Sequence, residues 1–114
     1  LSVTVIGTPA TDRQSAKLGM VMDFGDLKKL IKKQIVDPFD HALLLNADLQ
    51  EVELRKFGEP FTNVVLLPYQ PTSENFLLDF ATRISGFLPH GVSLHSLRLR
   101  ETANSYAEWF ASDN

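Results

Sequence analysis

The stretch PTSENFLLDFATRISGFLPHGVSLHSLRLRE, residues 71–101, decides the fold. In its first half Leu77, Phe80, Ala81, Ile84, Phe87 and Leu88 recur at three-to-four spacing, which lines them along one stripe of a helix. Thr72 or Ser73 caps that helix, Glu74 stands in its electropositive first turn, and Pro89 with Gly91 closes it. From Val92 the apolar period becomes that of a strand, but Val92 and Leu94 have opposite parity to Leu97 and Leu99. No regular strand puts all four on one face, so a bulge or break near His95-Ser96 is needed to restore the phase. Continuing the second phase carries Glu101 onto the face of Leu97 and Leu99. An acid at the end of an inward row is either a desolvation cost or a ligand site.

Working outward, a final strand is expected from Asn104 to Phe110, after a tight turn near Thr102-Ala103-Asn104. At the other end Leu1, Val3 and Val5 alternate with Ser2 and Thr4, which predicts a half-buried strand ending at Gly7-Thr8-Pro9. A polar loop to Lys17 and extended chain over Leu18 to Met22 follow. Asp23 is placed to cap a helix with Asp26 in its first turn and Phe24, Leu27, Leu30, Ile31 and Ile35 on one face, until Asp37-Pro38 stops it. Leu43 to Leu45 read as buried, Asp48 to Phe57 as a short helix with Leu49, Val52 and Phe57 inward, and Asn63 to Leu67 as a short buried strand. The whole is an α+β domain over residues 1–114: an antiparallel sheet with two main helices packed on one face. The first strand has no partner adjacent in sequence, and a missing preceding strand would supply one.

At 114 residues with 44% hydrophobic and 22% charged content, the chain suits a single soluble core, and no apolar run is long enough to span a bilayer. A net charge of −3 argues against a nucleic-acid partner, and Lys28, Lys29, Lys32 and Lys33 read as a solvated helix face. There is no cysteine, hence no disulfide, thiolate ligand or cysteine nucleophile. The chain opens on Leu1 without a signal-like segment and reads as a piece of a longer polypeptide.

For chemistry, Asp40 and His41 stand side by side just past a helix terminus, a pairing that can exchange protons near neutral pH. The three histidines, His41, His90 and His95, do not share a face of any regular element and make no zinc site by themselves. Neither a glycine-rich phosphate loop nor a nucleophile elbow is present.

Four blocks appear in order: Gly19-Met20-Val21-Met22-Asp23-Phe24-Gly25-Asp26-Leu27-Lys28, Pro38-Phe39-Asp40-His41-Ala42-Leu43-Leu44-Leu45-Asn46, Pro71-Thr72-Ser73-Glu74-Asn75 and Arg98-Leu99-Arg100-Glu101-Thr102. Together they make the chain, from its start to about Tyr106, resemble the family of 6-pyruvoyl-tetrahydropterin and 6-carboxytetrahydropterin synthases. The resemblance implies a tunnelling fold whose first strand is absent here, and a homo-oligomeric ring, a hexamer built from two trimers, in a bacterial cytoplasm. It also implies a pterin ring held by Glu101 and Glu74 with hydroxyl contacts from Thr72 and Ser73, a planar carboxylate accepting from a planar donor pair. Asp40 and His41 then fall on the proton-relay pair. The implied reaction is a zinc-dependent lyase step on 7,8-dihydroneopterin triphosphate, giving the 6-carboxy product on the route to queuosine. The alternatives are the 6-pyruvoyl product, or a metal-free homologue that binds pterin without catalysis. In this family zinc is held by three histidines, with a catalytic cysteine, when present, a few residues before two of them. None of those residues occurs in this sequence, so the ligands are expected upstream of Leu1, and the 114 residues alone are expected to turn nothing over.

Overall fold

The computed structural model describes residues 1–14, 16–48 and 64–114. Three strands form an antiparallel sheet in the order β1 (Ser2–Gly7), β4 (Val92–Thr102), β5 (Ser105–Phe110). The longest strand is therefore central. The first strand finds its partner at the far end of the chain, and the outer edges of β1 and β5 pair with no other described strand.

Two interruptions of register shape β4. Thr4 faces Ser96 while Val5 faces Leu94, so His95 is the extra residue, where the parity argument requires one. This bulge lets Leu94 and Leu97 both reach the core, at 5% and 1% exposure. The second lies opposite β5: Arg100 faces Tyr106 and Thr102 faces Ser105, leaving Glu101 unpaired.

Helix α3 (Ser73–Ser85) lies across the sheet. Leu77, Phe80, Ala81 and Ile84 meet Leu94 and Leu97, with Val3, Val5, Leu99, Ala107 and Trp109 around them. The helix ends earlier than its sequence stripe: Gly86 is the C-cap, and Phe87, expected inward, is 60% exposed. Leu88 still packs against the core after the chain has turned.

Helix α1 (Phe24–Ile31) starts at Asp23, whose carboxylate accepts from the Gly25 amide at 2.6 Å. Proline does not stop it at Asp37. A π-helical turn, Lys32–Val36, leads into a short helix α2, Asp37–Phe39, that contains Pro38. Continued α-helix would press the proline ring onto the carbonyl four residues back. Widening the preceding turn, with the Asp37 amide bonded to the Lys32 carbonyl, gives the ring room. The wider turn also swings Ile35 into the core, with Leu30 and Ile31 packed beside it, so both helical segments lie on the same face of the sheet. Phe24, expected in that stripe, is 81% exposed at the helix start.

Strands β2 (Leu43–Asn46) and β3 (Val64–Leu67) pair in parallel as a separate ladder, which the sequence pattern did not suggest. Leu43 to Leu45 are half-buried, and β3 alternates, with Leu67 buried and Leu66 exposed. The segment Leu18 to Met22 is not a strand: a single bridge joins Leu18 to Ala10, and the chain turns at Gly19. Beyond Asp48, the helix expected to Phe57 lies outside the described residues, as does Asn63.

Candidate active site

The end of β4 and the start of α3 meet through two of the residues singled out above. The Ser73 hydroxyl donates to Glu101 Oε1. Ser73 is only 6% exposed, whereas Glu101 as a residue is exposed. The bulge accounts for this placement: an unpaired residue is released from the ladder and its side chain re-aimed. Here the carboxylate turns towards the helix side of the sheet, as the inward row of Leu97 and Leu99 suggested, but at the rim rather than in the interior.

Thr72, not Ser73, is the N-cap, its hydroxyl accepting from the Asn75 amide at 3.2 Å. Ser73 is thereby left to Glu101. Glu74 occupies the first turn of α3 and is exposed. The Asn75 side chain donates to the Gln70 carbonyl at 3.0 Å, fixing the approach to the helix. A carboxylate with one oxygen accepting from a buried hydroxyl, beside the positive end of a 13-residue helix, can receive a flat pair of N–H donors on its open side.

Asp40 and His41 form a second centre. Asp40 caps the C-terminus of α2, its amide bonding the Val36 carbonyl at 2.7 Å. His41 follows at φ 51, in the left-handed region that few non-glycine residues adopt. The turn sets His41 Nδ1 3.0 Å from Asp40 Oδ1, and the side chains are 93% and 60% exposed respectively. Among the described residues, no hydrogen bond or ion pair joins this pair to Ser73 or Glu101. What ties it to α3 is the preceding residue: the Phe39 ring lies edge-on to Phe76 and Phe80, with centroids 6.4 and 5.4 Å apart.

Sequence reasoning missed a further group around Phe39. Arg83 lies over the ring, 4.9 Å from its centroid, and donates through Nε to Asp79 Oδ1 at 2.8 Å. The other Asp79 oxygen accepts from the Tyr69 hydroxyl at 2.5 Å. Burial, then the Asp79 hydrogen bond and charge, push the Tyr69 phenol well above the usual tyrosine range. The one available signal was Asp79 and Arg83 at four-residue spacing on a helix.

Arg98 and Arg100 turn to local partners. Arg98 pairs with Glu108 and lies over the Tyr106 ring at 4.5 Å. Arg100 is 5.9 Å from the same ring and donates to the Ala103 carbonyl at 3.3 Å.

For metal, His41 sits at the α2 terminus, His90 in the turn before β4, and His95 on the first bulge, edge-on to Phe110 at 6.4 Å. Among the described residues, no three of His, Cys, Asp and Glu come together as ligands. The described side chains therefore do not fit a zinc ion, which needs three or four convergent donors. None of the described helices is long and apolar enough to cross a membrane.

An antiparallel sheet with its helices on one face agrees with the comparison to known proteins. The family model of 6-pyruvoyl tetrahydropterin synthase matches residues 1–112, and the chain belongs to that family. Its relatives include the 6-carboxy-5,6,7,8-tetrahydropterin synthase of Rickettsia typhi, 35% identical over 94 residues, covering 81% of this chain and 68% of the relative. The protein of the same name from Haemophilus influenzae is 34% identical over 109 residues, with 85% and 69% covered. A third, from Rickettsia bellii, is 31% identical over 98 residues, with 84% and 71% covered.

Proposed function

We propose that this chain is the pterin-binding and proton-exchanging part of a 6-carboxy-5,6,7,8-tetrahydropterin synthase, a lyase acting on 7,8-dihydroneopterin triphosphate on the route to queuosine. The observation that carries the reading is the Ser73–Glu101 hydrogen bond, because it orients a rim carboxylate beside a helix N-terminus. In the proposed complex the free face of Glu101 accepts from the exocyclic amino group and a ring N–H of the pterin, while Ser73 holds the carboxylate plane. Glu74, one residue on, adds an acceptor at the same helix start, and Thr72 keeps the backbone there in place by capping. Asp40 and His41 exchange protons with the substrate, the carboxylate orienting the imidazole through Nδ1 and leaving Nε2 outward. The described residues do not themselves fit a zinc ion, so the part they play is pterin binding and proton exchange.

Glu101→Gln keeps the shape but replaces an ionic acceptor by a neutral amide. Losing charge-assisted hydrogen bonds of about 1.5–3 kcal/mol corresponds to about 10- to 100-fold weaker pterin binding in calorimetric titration. His41→Ala is expected to spare binding and lower turnover. Equal loss of binding in the two variants would contradict the division of labour. Mass spectrometry of the products separates the carboxy from the pyruvoyl outcome, which the description of the matching family model keeps in view as the second reading.

A further inference from the structure

The Asp40 and His41 side chains are 60% and 93% exposed, so the direction in which their turn points is fixed by what precedes them. The turn follows a helix of three residues and is closed by two backbone hydrogen bonds, Asp40 amide to Val36 carbonyl at 2.7 Å and Ala42 amide to Phe39 carbonyl at 3.3 Å. The Phe39 side chain is the anchor. Its edges rest on Phe76 and Phe80, which stack on each other at 5.9 Å, and its face is covered by Arg83.

We infer that Arg83 is a positioning residue for the Asp40–His41 turn, acting through Phe39 and itself held by the Asp79–Tyr69 pair. The inference rests on the reading of Asp40 and His41 as the proton-exchange pair. A guanidinium on a long side chain ordinarily samples many rotamers, and here two contacts and partial burial restrict it. Asp79 takes Nε, the Phe39 ring takes the cationic face, and the side chains of Arg83 and Asp79 are only 36% and 18% exposed, so water competes weakly for either. Tyr69 occupies the second Asp79 oxygen and lies edge-on to Phe76 at 6.1 Å, which closes the group back onto the aromatic cluster. The chain of contacts thus runs from Tyr69, just past β3, through α3, to the residue before Asp40. It does not involve Ser73 or Glu101, and this separation makes it testable.

The test uses the full polypeptide with Arg83→Gln, Arg83→Lys, His41→Ala and, as a neighbouring control, Thr82→Ala. Steady-state kinetics on 7,8-dihydroneopterin triphosphate are measured beside amide hydrogen exchange. For Arg83→Gln the expected result is kcat lowered about tenfold with KM within about twofold. The Asp40 and Ala42 amides exchange about tenfold faster, while those of Leu94 and Leu97 keep their protection. Arg83→Lys, which restores a cation over the ring but not the planar fork, regains part of both losses. Thr82→Ala leaves them unchanged. Unaltered exchange at Asp40 and Ala42 in Arg83→Gln overturns the inference. So does faster exchange at Leu94 and Leu97 of the same size, with KM and kcat failing together, since that marks general destabilisation. Undiminished turnover in His41→Ala instead removes the proton-exchange reading, and the exchange data still decide whether Arg83 holds the turn.

Discussion

His41 is held where an L-residue is strained, and that strain can be separated from the chemistry of its imidazole. At φ 51 a side chain bearing Cβ costs roughly 1–2 kcal/mol relative to the right-handed region. Glycine escapes this cost but loses roughly 0.5–1 kcal/mol more backbone entropy on folding. The informative comparison is His41→Gly against His41→Ala, because both delete the imidazole and its contact with Asp40, so those contributions cancel. The His41 side chain is 93% exposed, so neither change opens a cavity. What remains favours His41→Gly over His41→Ala by about 0.5–1 kcal/mol, or about 2–4 °C in melting temperature for a domain of this size. Scanning calorimetry of the two variants reads the difference directly. Turnover of the full polypeptide, measured in parallel, is expected to fall equally in both. If His41→Ala were as stable as His41→Gly, the turn would not be left-handed in solution and the strain argument would fail. If His41→Gly kept full turnover, the imidazole would not be the group exchanging protons.

Two further outcomes follow from the geometry. Because the fold raises the Tyr69 pKa, it favours the protonated phenol; that contribution is intact below the ordinary tyrosine value near 10 and declines as pH rises beyond it. Urea unfolding between about pH 8 and 11 is therefore expected to show a shallower alkaline loss of stability in Tyr69→Phe than in the parent, and equal slopes would remove Asp79 as its partner. The outer edges of β1 and β5, which pair with no other described strand, support assembly of the chain into a ring-like homo-oligomer, for which a hexamer is proposed. Light scattering coupled to gel filtration is expected to give a mass near six protomers, and a monomer at micromolar concentration would exclude the ring.

Where sequence alone anticipated the fold, it did so through parity and period. The opposed phases of Val92/Leu94 and Leu97/Leu99 demanded an extra residue near His95, and His95 is that residue. The stripe from Leu77 to Ile84 is the buried face of α3. The failures have equally local causes. Pro38 read as a stop because the rule for proline assumes α-helical spacing on both sides, and the π-helical turn before it changes that spacing. Phe24 and Phe87 fitted their stripes, but each lies at a helix end, where the periodic face has run past what it packs against. The parallel pairing of β2 with β3 has no signal in period-two patterns, which say nothing of strand direction.

The candidate site was legible as residue types but not as contacts. Glu101, Asp40 and His41 were singled out from position and Ser73 through the family resemblance, yet the second bulge, which frees Glu101 to meet Ser73, has no parity conflict to announce it. Residues 97, 99 and 101 alternate without fault, and a regular strand would have satisfied them. The bulge is set from across the ladder, by the register that the two-residue turn at Ala103 and Asn104 imposes: Thr102 and Ser105 must face each other, and their hydroxyls lie 2.7 Å apart. A longer turn would move that pairing and could return Glu101 to the ladder. The position of the carboxylate is thus decided by turn length as much as by the residue that bears it. Inserting one glycine between Ala103 and Asn104 is therefore a more selective disturbance of the Ser73–Glu101 contact than most substitutions of the residues around it.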